Sequence, residues 1–127
     1  LLIIDYGYTD EKMKNTLKSI SKHKLNNVLE NFGKSDISYD INFKLIEKII
    51  TKLGLKVHGI TSQRKFLQEL GILERAEIIS KNLTFSKKAN IYYRVKKLID
   101  ENGMGKLFKV MFISKKNIKF KTGFNNC

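Results

Sequence analysis

The chain begins with a short apolar run that is followed by polar residues. Leu1–Ile4 is followed at once by Asp5, Tyr6 and Gly7. A short, continuous apolar run that ends in Asp and Gly predicts a strand buried on both faces, as in a parallel sheet. The polar end of such a strand lies at the carboxyl edge of an open α/β sheet, where these folds bind their ligands. Because this strand needs neighbours on both sides, we expect the chain to be one part of a larger sheet.

Apolar residues at helical spacing predict helices over the middle of the chain. Asn42 is the predicted N-cap of the first helix, because its side-chain oxygen can accept a free backbone N–H of the first turn, and Gly54 ends that helix. Ser62 is the predicted cap of a second helix, which Gly71 ends. The remaining predicted helical segments are 72–80 and Ser86 to Asp100.

Extended segments are predicted between and after these helices. Alternating or continuous apolar residues mark them at 37–41, 55–60 and 107–113. In the tail, Ile118 and Phe120 are predicted to pair back on the last of these strands as a hairpin. The stretch 11–23 fits a helix and a strand equally well, and the polar stretch 26–36 predicts a loop. The order of strands and helices predicts an α/β fold.

Composition sets limits without indicating a function. A chain of 127 residues with 42% hydrophobic residues can form one domain, which we divide into 1–113 and a basic tail over 114–127. The single cysteine, Cys127, excludes an internal disulfide. No apolar run approaches the roughly 18–20 residues that a membrane-spanning helix needs.

A formal net charge of +13 points toward a nucleic-acid partner, because clustered Lys and Arg neutralise phosphates. The cations are nearly all lysines spread along the chain, and only three arginines offer bidentate geometry. This spread favours compositional drift over a polyanion-binding surface, and only 115–121 is locally dense in lysine. Nucleic acid is therefore the less favoured partner.

The sequence contains no complete catalytic motif. It has no glycine-rich phosphate loop, no metal-ligand spacing of Cys and His and no nucleophile elbow. His23 and His58 lie far apart, and an isolated His is more often structural than catalytic. Asp5 is better placed, because a carboxylate at a strand end can face the ligand crevice. Its alternative role is to accept backbone hydrogen bonds in a turn ahead of Gly7.

Three segments resemble, in the same order, those of the MidA-like S-adenosylmethionine-dependent methyltransferases. Leu2–Tyr8 is similar to the strand that opens the C-terminal half of that family. Gly59–Ile72, followed by Arg75, resembles its Gln, Phe-Leu, Leu-Gly-Ile and Arg pattern, and Met104–Val110 resembles its closing strand. The resemblance covers about residues 1–113.

The resemblance implies the C-terminal part of a Rossmann-like, class I methyltransferase sheet with its helices. In that family, a glycine-rich loop after the first strand and an acid after the second strand hold S-adenosyl-L-methionine. Neither feature is found in this sequence. The resemblance therefore implies a fragment without the first strands and the cofactor loop, which binds no cofactor and is inactive by itself.

The resemblance also implies protein arginine methylation. Mitochondrial members of the family act on a core subunit of respiratory complex I during its assembly, so the implied substrate is a protein. The implied partner is the missing N-terminal half or a full-length protein. The implied location is the cytoplasm in a bacterium and the mitochondrial matrix in a eukaryote.

The residues that correspond to the family's reaction crevice are Asp5, Tyr6, His23 and Asp36, and no cofactor or metal ligands are expected. A carboxylate can orient the guanidinium of a methyl acceptor through bidentate contacts, a role open to Asp5 or Asp36. Three acids of the family pattern are replaced in this chain, by Asn15, by Asn42 and, in the Arg64-Lys65 pair, by Lys65. Asn42 is interpreted as a helix cap, for which Asn and Asp serve about equally well.

Two other functions stay open at this point. The first is a non-catalytic remnant or a separately encoded half of a methyltransferase. The second, from a different class, is a small basic nucleic-acid-binding module.

Overall fold

The protein is described by a computed structural model that covers residues 1–116, 119 and 122–125. This part of the chain contains both strands and helices, in agreement with the predicted α/β class, although five strands precede the first helix. The elements are β1 (Leu2–Tyr8), β2 (Lys18–Ser21), β3 (Lys24–Asn26), β4 (Asp36–Ser38), β5 (Ile41–Asn42), α1 (Phe43–Lys52), β6 (Lys56–Ser62), α2 (Gln63–Glu69), α3 (Ile72–Ser80), α4 (Phe85–Ile99), α5 (Met104–Leu107) and β7 (Phe108–Ser114).

The strands form two sheets. The larger one has the order β5-β1-β7-β6, and a smaller antiparallel sheet has the order β3-β2-β4. Because β1 and β6 both run antiparallel to β7, they are parallel to each other and end at the same edge of the sheet. Residues 37–41, predicted as one extended segment, are divided between the sheets, since β4 joins β2 and β5 joins β1.

Helix α1 covers one face of the large sheet. Its Phe43 is fully buried with Met111 and Ile113 of β7, and Ile3 of β1 packs against the same cluster. The helix forms where the sequence predicts it, because the Asn42 side chain accepts the third backbone N–H of the helix, at 3.0 Å. The prediction that Asn42 is a helix cap is confirmed.

Helix α2 covers the other face, but only in part. Phe66 of α2 packs with Val110 of β7 and with Phe124, which is 3% exposed. Ser62 caps this helix by accepting the N–H of Lys65 at 3.3 Å, as predicted. The basic tail thus contributes a core residue that the sequence analysis did not single out.

Strand β1 differs from its prediction. It pairs antiparallel with β7 from Leu2 to Tyr6 and parallel with β5 only at Gly7 and Tyr8. Leu2, Ile4 and Tyr6 are 44%, 44% and 43% exposed. The prediction of a strand buried on both faces in a parallel sheet is therefore wrong for the described residues, because the cover supplied by α2 and Phe124 reaches β7 and stops there.

Two further segments differ from their predictions. Residues 104–107, taken as the start of the closing strand, form the short helix α5, and the strand begins at Phe108. The ambiguous stretch 11–23 contains strand β2 and no helix. The predicted hairpin of Ile118 and Phe120 lies outside the described residues.

Candidate functional site

The carboxyl edge of the large sheet is where the functional residues were expected. Strands β1 and β6 both end there, and helices α1 and α2 begin there directly after their caps. The local sequence explains where the two helices begin. Strands β5 and β6 end at Asn42 and Ser62, polar residues that favour a helix N-cap over further strand pairing. The edge therefore brings two helix N-termini and the end of β1 to one side of the sheet.

Asp5 and Tyr6 lie near this edge and are open to solvent. Asp5 Oδ1 accepts the backbone N–H of Tyr6 at 2.7 Å, which is the turn-like interaction that the sequence offered as its alternative role. The Tyr6 ring lies 4.0 Å, between centroids, from the ring of Phe108 on β7. The second carboxylate oxygen of Asp5 has no hydrogen bond among the described residues, so it is available to a cationic ligand.

Lys109 of β7 stands opposite Asp5 in the register of the two strands. Burial lowers the pKa of its ammonium below the usual 10.5, and the charge of Lys106 lowers that pKa further. The Lys109 ammonium donates to the backbone carbonyl of Lys106. No ion pair joins Lys109 to Asp5 in the described structure.

The segment after β1 folds back over the end of the strand. The Tyr8 hydroxyl accepts the backbone N–H of Lys14 at 2.9 Å, and the Lys14 ammonium lies 5.0 Å from the centre of the Tyr8 ring. The Asn42 amide donates to the Met13 sulfur at 3.4 Å. Residues 13 and 14 therefore cover the point where β1 ends and α1 begins.

His23 and Asp36 lie elsewhere, in the small sheet. His23 occupies the turn between β2 and β3 with a positive φ of 63°, and Asp36 begins β4 opposite Ile20. Both side chains are exposed. Among the described residues, no hydrogen bond, ion pair or ring contact joins either of them to Asp5 or Tyr6. The catalytic roles of these four residues stay predictions.

A groove of about 460 Å³ runs between α1 and β6. Lys44 and Glu47 of α1 line one side and form an ion pair of 2.8 Å, while Thr9 lies at one end. The neighbouring carboxylate raises the pKa of Lys44. A cationic ligand would have to displace Lys44 from Glu47 to bind there.

His58 also borders this groove, at an irregularity in the pairing of β6 with β7. Its Nε2 lies 2.7 Å from the Ser114 hydroxyl, and its ring lies 5.2 Å from that of Phe112. No carboxylate completes a triad with this pair in the described part of the chain. The arrangement supports the structural role that the sequence favoured for this histidine.

The sequence analysis missed Lys109, Glu47 and the contact of Tyr8 with Lys14. Lys109 carried a signal, because a lysine inside an apolar strand is unusual. Glu47 pairs locally with Lys44 three residues before it, but the groove that the two line depends on the packing of α1 beside β6, and the contact of Tyr8 with Lys14 depends on how the chain folds back after β1. Within the described residues, no three His, Cys, Asp or Glu side chains are grouped as a metal site, and no helix is long and apolar enough to cross a membrane.

Comparison with known proteins identifies the family. Residues 1–61 match the family model described as "Putative S-adenosyl-L-methionine-dependent methyltransferase". The mitochondrial protein arginine methyltransferase NDUFAF7 of Danio rerio is 30% identical over 85% of the chain, and the Drosophila melanogaster homologue is 32% identical over 87%. The chain spans about a quarter of the length of these relatives, 25% in both cases.

A solved structure shows the same fold. A COG1565 superfamily protein from Burkholderia thailandensis, bound to S-adenosyl-homocysteine, is 28% identical and superposes with a TM-score of 0.77. The match covers 98% of this chain and 34% of that structure. The fold is therefore that of part of a class I methyltransferase. These similarities support a MidA-like S-adenosylmethionine-dependent methyltransferase, related to the NDUFAF7 proteins.

The family's cofactor does not fit the residues described here. An open glycine turn ahead of a helix N-terminus is needed to bring backbone N–H groups to the ligand. A Cβ at Gly7 would lie 2.4 Å from the Ile41 carbonyl oxygen and 2.6 Å from Phe43, so protein already fills that place. Gly33 and Gly54 have open surroundings, but a strand follows each of them. Gly71 does precede a helix, α3, but it follows helix α2 and not a strand, and the Glu74 carboxylate beside this turn would repel an anionic group. We therefore derive no chemical step through the cofactor.

Of the two asparagines that stand where the family pattern has an acid, only one has a structural explanation. Asn42 is 7% exposed and caps α1, a task that Asp would perform equally well. Asn15 is exposed and makes no hydrogen bond in the described structure. The replacement at Asn15 therefore has no structural explanation in the described part of the chain.

Proposed function

We propose that this chain supplies the C-terminal, substrate-side part of a protein arginine methyltransferase, and that a separate half of the domain holds S-adenosylmethionine. The observation that carries the proposal is the structure of β1. Among the described residues, β1 is paired on one side only from Leu2 to Tyr6, and three of its apolar side chains are more than 40% exposed. A strand with an unpaired edge and an exposed apolar face is stabilised by a further strand beside it and by residues that cover that face.

The length comparison supports the same reading. The match covers 34% of the solved relative that holds S-adenosyl-homocysteine. That relative is therefore about three times as long as the matched region. The remaining residues of that fold can supply both the missing pairing of β1 and the glycine turn that the described residues lack. By itself, the chain would therefore neither bind the cofactor nor transfer a methyl group.

In the assembled domain, Asp5 is the residue that we assign to the substrate. Its free carboxylate oxygen can accept a hydrogen bond from a guanidinium and hold the plane of that group. The ammonium of Lys109, opposite Asp5, already donates to the Lys106 carbonyl and so leaves the Asp5 carboxylate open to the cationic substrate. The proposed substrate is a protein arginine, in a respiratory complex I subunit if the role of the mitochondrial relatives is shared.

The proposed cellular location of the protein depends on whether the organism is a eukaryote or a bacterium. The relatives are named as mitochondrial proteins, which supports the matrix for a eukaryotic chain. For a bacterial chain, the proposed location is the cytoplasm.

The test is reconstitution. The chain is titrated with S-adenosylmethionine in a calorimeter, alone and after co-expression with the N-terminal half of a family member, and methyl transfer to an arginine peptide is measured. We expect cofactor binding and transfer only in the pair. Micromolar binding by the chain alone would overturn the proposal. Cofactor binding by the pair without any transfer would indicate a non-catalytic remnant.

A matched variant tests the proposed edge. Ile4→Lys places a charge on the exposed face of β1 and should abolish co-purification of the two halves. Leu25→Lys places the same charge at a residue that is 79% exposed in the small sheet, and the pair should still form. Equal effects of the two variants would contradict the assignment of β1 as the joining strand.

A further inference from the structure

Helices α3 and α4 carry a basic surface that the proposed function does not use. Residues 78–99 contain six cations and no acidic residue. None of these six cations forms an ion pair in the described structure, whereas lysines elsewhere pair with Asp10, Asp40, Glu47 and Glu11. The positive charge of this segment is therefore not balanced within the described protein.

Apolar side chains project from the same surface. Phe85, at the start of α4, is 87% exposed, and Ile78 of α3 is 68% exposed. Tyr92 and Lys88 of α4 line a groove of about 460 Å³ with Ile78. Lys81 and Ser80 complete this groove, together with Glu77, which is its only acidic member.

Helical spacing continues this surface along α4. Phe85, Tyr92 and Lys96 lie seven and four residues apart and share one side of the helix, with Lys88 beside them. We call this surface the α3–α4 patch. Its members are Ile78, Lys81, Phe85, Lys88, Tyr92 and Lys96.

We propose that the α3–α4 patch docks on the surface of an anionic lipid bilayer. Lysines attract the negative surface, while a phenyl ring and an aliphatic side chain can enter the boundary between headgroups and acyl chains. The patch alternates these two types of residue, and its charge is complementary to that of the bilayer. This inference does not depend on the proposed methyltransferase role.

The composition of the patch favours lipid over nucleic acid. Ile78, an aliphatic residue, cannot stack on a base, and single-stranded nucleic acid is bound by aromatic rings and Arg planes. The patch contains lysines and no arginine, while Arg94 lies on another side of α4. Lysine is a point charge that suits a diffuse lipid surface, whereas Arg provides bidentate phosphate contacts.

The first test uses the absence of tryptophan from the sequence. Phe85→Trp introduces the only tryptophan of the protein into the patch. Phe32→Trp introduces the only tryptophan outside the patch, at a phenylalanine that is 77% exposed. Each variant is mixed with vesicles of phosphatidylcholine, with and without phosphatidylserine. We expect a blue shift and quenching by brominated lipid for Phe85→Trp with the anionic vesicles only. No shift, or an equal shift for Phe32→Trp, would overturn the proposal.

The second test separates the patch from general charge. Replacing Lys88 and Lys96 by Gln should weaken partitioning into anionic vesicles about 25-fold, because each lysine near such a surface contributes about fivefold. Replacing Lys24 and Lys34 by Gln removes the same charge from the other end of the chain and should have a much smaller effect. Equal losses would contradict docking through the patch. Tighter binding of the wild-type chain to single-stranded RNA than to vesicles would show that the partner is nucleic acid.

Discussion

Asp5 on β1 and Lys109 on β7 stand opposite each other in the large sheet without forming an ion pair. Asp5 accepts the backbone N–H of the next residue, and Lys109 donates to the carbonyl of Lys106. Each charge thus interacts with a nearby backbone group, at the next residue for Asp5 and three residues away, in α5, for Lys109. The carboxylate thereby keeps an oxygen free for a ligand, and the ammonium stays partly buried without an anionic partner.

The first prediction concerns the pH dependence of stability. Burial lowers the pKa of Lys109 in the folded protein, whereas the unfolded chain titrates near 10.5. The folded state therefore binds fewer protons at alkaline pH, and the free energy of unfolding gains a contribution as pH rises toward 10.5. We expect Lys109→Met to be more stable than wild type at pH 7 and to lose part of that advantage at pH 10, as measured by urea denaturation. Lys24→Met, at an exposed lysine, is the control, and an advantage independent of pH would contradict the prediction.

The second prediction concerns the tail. The Phe124 ring is 3% exposed and lies 5.4 Å, between centroids, from the ring of Phe66. Phe124→Ala should lower the free energy of unfolding by about 3–5 kcal/mol, as for other buried rings. Phe66→Ala should cost a similar amount, and the double variant less than the sum, because both changes open the same cavity. A cost below about 1 kcal/mol for Phe124→Ala would show that the tail does not pack on α2.

The third prediction concerns the helix caps. Asn42→Ala should cost about 1 kcal/mol, because the N–H of Leu45 loses its acceptor, and Asn42→Asp should be nearly neutral. Ser62→Ala, at the equivalent cap of α2, should have a similar cost. Thermal denaturation of the three variants measures the differences. A large loss for Asn42→Asp would show that the contact of the amide with Met13 matters more than the cap.

The fourth prediction separates packing from chemistry at the end of β1. Gly7→Ala should destabilise the protein by about 1–3 kcal/mol or more, because the added methyl would overlap the Ile41 carbonyl oxygen and the Phe43 ring. Asp5→Ala, two residues earlier and exposed, should change stability by less than about 0.5 kcal/mol. If Asp5→Ala were as destabilising as Gly7→Ala, the turn role of Asp5 would replace its proposed role in substrate binding.

The fifth prediction concerns the replaced acids in the reconstituted enzyme. Asn15 has no structural task in the described protein, so Asn15→Asp should raise methyl transfer by the pair without changing its thermal stability. Asn42→Asp should leave the transfer rate unchanged, because Asn42 already serves as a cap. The opposite result would assign the substrate role to position 42.

Local pattern was sufficient to predict helices α1 to α4, although not the short helix α5. Asn42 and Ser62 act as caps because a short polar side chain can accept an N–H within its own turn, which depends on no distant residue. Gly54 and Gly71 take positive φ values of 73° and 76° after helices for the same local reason. The family could also be identified from the sequence, since its motifs lie in short contiguous segments.

The tertiary structure decided which faces are covered and which candidates meet. An apolar run such as Leu1–Ile4 shows that a strand is apolar, but not whether a helix lies over each face, and here the second face of β1 is open. Phe124 became a core residue because the chain returns to α2, a contact between residues 58 positions apart that has no periodic signal. Asp5 and Asp36 were both predicted to lie near the reaction crevice, yet they lie in different sheets, because strand pairing over long separations is set by the whole fold.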